Sequence, residues 1–219
     1  MPRLLFQKSG RAIWISHLDL MRLFQRAFQR AGLHLKHTQG FNPRPSVSIA
    51  LPLSVGIRSQ CELLDFELEG EIPTSDIIQE RLNASLTDGI QVLKVYDNGR
   101  KLKELSLLLC QLQLEYDSGC DCKTADAISE LFRRKSLIVE KKSKNGPVQQ
   151  DMIPMIREFS VNHLDENTIV IRAWICCQNP SLNPMQIGTA IEQYLPDCKP
   201  DHIVSERLEV FDAQKKIFR

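Results

Sequence analysis

Residues 16–32 read SHLDLMRLFQRAFQRAG, and this stretch predicts the first helix of the chain. Ser16 is a favourable N-cap, and Asp19 stands three residues later, at the position of a capping-box acid. Gly32 is a suitable C-cap residue. Between the two caps, apolar residues recur at helical spacing, at Leu20, Leu23, Phe24, Ala27, Phe28 and Ala31. The helix therefore has one apolar face that a sheet can cover.

The segments around this helix predict a β-α-β-β-α-β order. LLFQKSGRAIWIS, at residues 4–16, has two short alternating pieces, 4–8 and 12–15, and predicts a strand or a bent strand pair. Residues 46–51 and 61–68 have strand character and are expected to pair antiparallel. Thr74 caps a second helix that runs to about Leu86, and 90–96 is a further strand. This order is that of the ferredoxin-like motif.

The second half repeats this order, with one additional hairpin strand, after a linker of turn formers and charges at residues 97–101. Its predicted elements are a strand at 107–116, a helix at 124–134, a strand at 136–142, a turn-rich loop at 143–147, a hairpin at 159–164 and 168–177, a helix at 184–195 and a strand at 203–211. We therefore expect an α+β protein of two tandem ferredoxin-like domains with antiparallel sheets, residues 1–98 and 99–219.

Charge is distributed unevenly along the chain. Residues 1–58 contain nine Lys or Arg and one acid, Asp19, a net charge of +8, whereas the remainder has nineteen against twenty-six, a net charge of −7. A basic segment of this kind typically faces an anion. RNA, a nucleotide or an acidic protein would each supply such an anion.

The composition disfavours a membrane protein, a secreted disulfide-bonded protein and a metal-binding protein. No run of eighteen apolar residues is present, and MPRLLFQKSG lacks the features of a signal peptide, so we expect a cytoplasmic protein that does not enter a membrane. The seven cysteines are an odd number without a disulfide framework and are interpreted as reduced thiols. Cys120 and Cys122 form a C-x-C that would suit a soft metal, but no second pair follows at ligand spacing. We expect no metal and no cofactor.

Three arginines of the first helix form a stripe. Arg22, Arg26 and Arg30 are four residues apart, so their guanidinium groups lie along one side of the helix, where only Asp19 is acidic. Like charges at this spacing repel. The stripe therefore predicts contact with an external anion or with acids of the second half, and a solvated polar face is the alternative.

The loop at residues 36–45 combines hydrogen-bond donors with an aromatic residue and backbone-shaping Gly and Pro. In this loop a base would stack on Phe41 while Arg44 meets a phosphate. In the alternative, the loop is a structural crossover in which Phe41 enters the core and Asn42 caps a turn. The candidate donors are Lys36, His37, Gln39, Asn42 and Arg44.

Three of the five histidines, His17, His34 and His37, lie close together in the sequence. His17 and His37 would serve as acid and base in metal-free RNA cleavage. However, a histidine at the start of a helix is ordinary, and His34 alternates with its leucine neighbours as a strand residue would. No nucleophile elbow, Walker loop, dinucleotide fingerprint or HExxH motif is present. An enzyme is therefore the less favoured interpretation.

The helix 16–32, followed by QGFNPRPSVSIALPLSVGIRSQCELLDFEL at residues 39–68, resembles the N-terminal signature of the radical-SAM-linked protein family, a bacterial family of unknown function. SLNPMQI, at residues 181–187, is similar to the family's motif before the last helix, with Asn183 where Arg is expected. Members are fused to, or encoded beside, a radical S-adenosylmethionine protein. The resemblance implies an accessory role in an RNA- or ribosome-linked modification system.

The cysteine spacing indicates whether this chain is the radical S-adenosylmethionine enzyme or the accessory protein beside it. A radical S-adenosylmethionine enzyme holds its cluster with a C-x₃-C-x₂-C loop, and the seven cysteines contain no such spacing. We therefore expect an accessory protein that partners a radical S-adenosylmethionine protein and binds RNA. The alternatives are a metal-independent endoribonuclease, similar in element order to CRISPR repeat-processing enzymes, and a protein adaptor that binds no nucleic acid.

Overall fold

The computed structural model describes residues 1–143 and 146–219. In these residues the predicted α+β class is confirmed, with mostly antiparallel strands and the helices α1 (His17–Arg30), α2 (Ser75–Ser85), α3 (Cys122–Leu131) and α4 (Met185–Tyr194). The strands are β1 (Arg3–Lys8), β2 (Val47–Ala50), β3 (Arg58–Phe66), β4 (Ile90–Tyr96), β5 (Leu105–Glu115), β6 (Ile138–Ser143), β7 (Gly146–Asp151), β8 (Ile156–Asp165), β9 (Thr168–Cys176) and β10 (His202–Asp212).

The chain divides into two units. The first contains Met1–Glu104 together with Ile217–Arg219, and the second contains Leu105–Lys216. The predicted linker at 97–101 lies within the first unit. Among the described residues, no helix has both the length and the apolar character that crossing a lipid bilayer requires.

The first unit places α1 and α2 on an antiparallel sheet. β1 pairs with β3 on one side and β4 on the other, and β2 pairs with β3, so the strands lie in the order β4-β1-β3-β2. The rings of Phe6 and Phe24 are 4.7 Å apart, and those of Phe28 and Phe66 are 5.1 Å apart. The apolar stripe of α1 is thereby buried on the sheet, which leaves its arginines outside.

The predicted ends of α1 are confirmed. The Ser16 hydroxyl accepts a hydrogen bond from the Asp19 amide at 3.2 Å and donates one to the Asp19 carboxylate at 2.7 Å. At the other end, Gly32 has φ of +67°, the left-handed conformation that terminates a helix. The strand predicted at 12–15 is wrong: this segment belongs to a 3₁₀ turn, Gly10–Trp14, in which the Ala12 amide donates to the Ser9 carbonyl.

The second unit contains a sheet in the order β10-β5-β9-β8 and a separate β6–β7 hairpin. We predicted a turn-rich loop at 143–147, yet β7 begins at Gly146, because a Gly-Pro start conceals a strand in the sequence pattern. Lys144 and Asn145, inside that predicted loop, lie outside the described residues. Helix α3 begins two residues before the predicted Thr124, since Asp121 is the N-cap and accepts from the Thr124 amide at 2.9 Å.

Candidate functional site

Loop 36–46 is closed at its base by hydrogen bonds. The Ser46 amide donates to the Lys36 carbonyl at 2.7 Å, and the Thr38 amide donates to the Arg44 carbonyl at 2.9 Å. The Thr38 hydroxyl in turn accepts from the Arg44 amide at 3.0 Å. These contacts give the loop a defined base from which its tip projects. Thr38 was not among the predicted residues, because only the folded loop brings it to Arg44.

The tip of the loop is exposed to solvent. Phe41 is fully exposed, which contradicts the alternative in which it enters the core. Gln39 and Asn42 are exposed beside it, and Gly40 has φ of +134°. Because glycine adopts such a conformation without steric cost, the chain reverses here and leaves the ring of Phe41 outside.

The three arginines of α1 are exposed but differ in their partners. Arg22 pairs with Asp19 at 3.0 Å, and Arg30 donates to the Ser85 carbonyl at 2.6 Å, which ties the end of α1 to the end of α2. Arg26 makes no side-chain hydrogen bond or ion pair with any described residue. Arg26 is therefore the member of the stripe whose charge is most available to an external anion.

A cleft of about 410 Å³ joins α1 to the loop. It brings together Arg26 and His37, two of the predicted residues. Its lining residues are Gln25, Arg26, Phe28, Gln29, Leu33, His34, Leu35, His37, Pro45 and Glu69. We refer to this cleft, the exposed arginines of α1 and loop 36–46 as the loop–helix surface.

Glu69 brings an acid into this cleft that sequence analysis missed. Its amide donates to the His34 carbonyl at 2.9 Å, next to the bridge between Leu35 and Leu68. The segment after β3 therefore runs alongside the segment after α1. On the same segment, the Glu67 carboxylate lies 3.6 Å from the Lys36 ammonium and partly neutralises its charge. The cleft thus offers both donors and a carboxylate acceptor.

The two histidines proposed as an acid–base pair are not placed in the same cleft. His17 is the first residue of α1, nine positions before Arg26, which corresponds to about 13 Å along the helix axis. It does not line the cleft that contains His37. His37 is exposed and forms a bridge with Pro45 at the base of the loop.

Two of the nine cations of residues 1–58 do not contribute to a basic surface. Arg3 is 2% exposed and bonded to Asp65, and Lys8 is 1% exposed and donates to the Ile15 carbonyl at 2.8 Å. Burial lowers the pKa of Lys8, and the charge of Glu62 partly opposes that shift. The net charge of the segment therefore overstates the positive charge of the surface, which arises from the seven exposed cations.

Comparison with known proteins identifies the family. The model of the family described as uncharacterized protein conserved in bacteria (DUF2344) matches residues 2–184. This chain belongs to the DUF2344 family. The match includes every residue of the loop–helix surface. No curated protein matches the chain.

One matched solved structure shares the fold of this DUF2344 chain at low sequence identity. A chain in the crystal structure of a Cbf5–Nop10–Gar1 complex matches with a TM-score of 0.52 and 8% identity, over 95% of this chain and 48% of that one. This chain thus spans about half of the matched chain, and the likeness concerns the fold alone. The crystal structure of an unknown protein from Galdieria sulphuraria has a TM-score of 0.27 and 12% identity, over 94% and 96% of the two chains.

Proposed function

We propose that this DUF2344 chain is a non-catalytic accessory protein of a radical S-adenosylmethionine system and binds RNA through the loop–helix surface. The observation that carries this proposal is the cleft at the foot of an exposed loop that Arg26 and His37 both line, where Arg26 has no hydrogen-bond or ion-pair partner among the residues that the structure describes. A guanidinium in that position suits a phosphate group. The exposed ring of Phe41 suits an unstacked base.

We infer that both units are ferredoxin-like. In each unit an outer pair of strands flanks a central antiparallel pair, in the orders β4-β1-β3-β2 and β10-β5-β9-β8. Two helices connect the strands of each unit in the β-α-β-β-α-β sequence, and the β6–β7 hairpin is an insertion between α3 and β8. Both orders agree with tandem copies of one motif.

The link to a radical S-adenosylmethionine protein is supported by the resemblance of residues 16–32 and 39–68, which lie within the family match. The cysteine spacing supports the accessory role over that of the radical enzyme, because the sequence lacks the three-cysteine cluster loop. The partner is therefore a separate protein that carries such a loop. RNA bound at the loop–helix surface would be its substrate.

Exchanging Arg22, Arg26 and Arg30 for Gln should weaken RNA binding roughly tenfold or more. The slope of log K against log salt should fall by about 1, since each lost phosphate contact removes ~0.7–0.9 from that slope and Arg26 is the arginine expected to make such a contact. Fluorescence anisotropy with a labelled, structured bacterial RNA at several salt concentrations measures both quantities. Arg26→Gln alone should account for most of the loss, because Arg22 and Arg30 already have protein partners.

A matched variant removes the same amount of charge from exposed positions of the second unit, through Arg133→Gln, Lys135→Gln and Arg157→Gln. Its RNA affinity should stay within about twofold of the original protein. Equal losses in the two triple variants would show that only net charge matters and would contradict the proposed surface.

The accessory role predicts that the purified chain does not cleave RNA. Incubation with total bacterial RNA should leave its length distribution unchanged on a denaturing gel. Discrete products that disappear in His37→Ala would overturn the accessory role in favour of the endoribonuclease. Anaerobic co-purification should recover a protein that contains the C-x₃-C-x₂-C loop, and recovery of RNA without such a protein would contradict the partnership.

A further inference from the structure

The second unit contains a cysteine–histidine pair that lies outside the loop–helix surface. Cys122 is the first residue of α3 and is exposed, and His163 lies on β8. Helix α3 packs against β8, which brings the Cys122 Sγ to 3.7 Å from the His163 Nδ1. This is hydrogen-bond distance for a thiol. The sequence separates the two residues widely, so no local motif reveals the pair.

The second nitrogen of His163 determines the direction of this contact. His163 Nε2 is 3.2 Å from the carbonyl oxygen of Cys120. A carbonyl oxygen can only accept a hydrogen bond, so the ring proton is on Nε2. In the neutral imidazole, Nδ1 then presents its lone pair to the thiol of Cys122. A nucleophile, a base and a group that orients the base are thus arranged in series.

The thiol of Cys120, two residues before Cys122, contacts a backbone carbonyl and not a histidine. The Cys120 Sγ lies 3.8 Å from the carbonyl oxygen of Asp165 and donates to it, which requires the protonated form. Burial raises the pKa of Cys120, and the negative charges of Asp165, Asp121 and Cys122 raise it further. Of the two thiols in the C-x-C, Cys122 is therefore the one that faces a base.

Cys122 lies at the N-terminus of α3, next to the residue that caps the helix. Asp121 caps the helix by accepting from the Thr124 amide at 2.9 Å and from the Thr124 hydroxyl at 3.0 Å. The remaining amides of the first turn point toward the N-terminus of the helix, the end that attracts anionic groups. Among the described residues, no three His, Cys, Asp or Glu side chains are grouped so as to hold a metal ion. The arrangement therefore favours covalent thiol chemistry.

We propose that Cys122 is a nucleophilic thiol with His163 as its base, and that it reacts with small-molecule disulfides by thiol–disulfide exchange. The Cys122 proton passes to His163 Nδ1, and the thiolate attacks one sulfur of the disulfide. A new S–S bond forms on Cys122 as the old S–S bond breaks. The released thiolate takes the proton from the imidazolium, so the step needs no other co-reactant.

The full chain is incubated with oxidised glutathione at pH 7, remaining thiols are alkylated at successive times, and each cysteine is quantified by peptide mass spectrometry. Cleavage before Asp121 separates Cys120 from Cys122. Cys122 should be glutathionylated roughly tenfold or more faster than Cys120 and Cys198, which are less exposed. This comparison of glutathionylation rates uses the unaltered protein. Equal rates at Cys122, Cys120 and Cys198 would overturn the proposal.

His163→Asn should slow the reaction of Cys122 about tenfold while leaving the rate at Cys198 unchanged. The matched control is His202→Asn, which removes an exposed histidine from the start of β10 and should leave Cys122 as reactive as before. Circular dichroism checks that both variants are folded. An unchanged Cys122 rate in folded His163→Asn would also overturn the proposal.

Discussion

Replacing Asp65 with Ala should lower the free energy of unfolding of the first unit by about 3–5 kcal/mol, because it leaves the charge of Arg3 buried without its counter-ion. Arg3 is 2% exposed and binds Asp65 through two hydrogen bonds of 2.6 Å and 3.0 Å. Its guanidinium carbon lies 5.1 Å from the centre of the Phe218 ring. Urea denaturation followed by circular dichroism gives the midpoint and slope from which the loss is calculated.

The double variant Arg3→Met with Asp65→Leu is the control. It removes both charges and replaces them with apolar volume, and such exchanges are often neutral or stabilising. Its loss should therefore stay below about 1 kcal/mol. If Asp65→Ala were as mild as the double variant, the unpaired charge of Arg3 would not be the cause of the instability.

Gly89→Ala should destabilise the first unit by about 3 kcal/mol, for two reasons that add. Gly89 has φ of +85°, and a Cβ there would lie 2.4 Å from the Ser9 carbonyl oxygen and 2.9 Å from the Ala12 Cβ. The same turn is closed by the Ser9 amide, which donates to the Gly89 carbonyl at 2.8 Å. The chain must therefore shift at the junction of β1 and β4, and thermal unfolding would detect this as a lowered Tm.

Gly70→Ala is the control that separates the free-energy cost of a positive φ from the cost of the Cβ clash. Gly70 has φ of +78° but no atom within 4 Å of the added Cβ. This variant should cost only the backbone strain, about 1–2 kcal/mol. Similar losses in the two variants would mean that the approach of Ser9 to Gly89 contributes nothing.

Elements whose signals are local were predictable. Strand β4 begins and ends at the predicted residues, Ile90 and Tyr96. Helix α1 has the predicted N-cap at Ser16, and its C-cap is Ala31, one residue before the predicted Gly32. Each of these predictions rests on alternation, helical periodicity or a capping residue within a few positions of the element. Strand β7 was missed because pairing with β6, and not its own composition, makes residues 146–151 a strand.

Local patterns in the sequence were enough to predict the α+β class, the order of helices and strands apart from β7 and the 3₁₀ turn at Gly10–Trp14, and the residues of loop 36–45 and α1 from which the candidate surface is built. The folded chain was needed to show which of those residues meet. Arg26 and His37 share a cleft, His17 does not line it, and Arg3 is withdrawn into the interior. Cys122 likewise acquires its base from a strand distant in the sequence. The reason is physical: periodicity and caps act within a few residues, whereas burial and pairing depend on contacts between segments far apart in the chain.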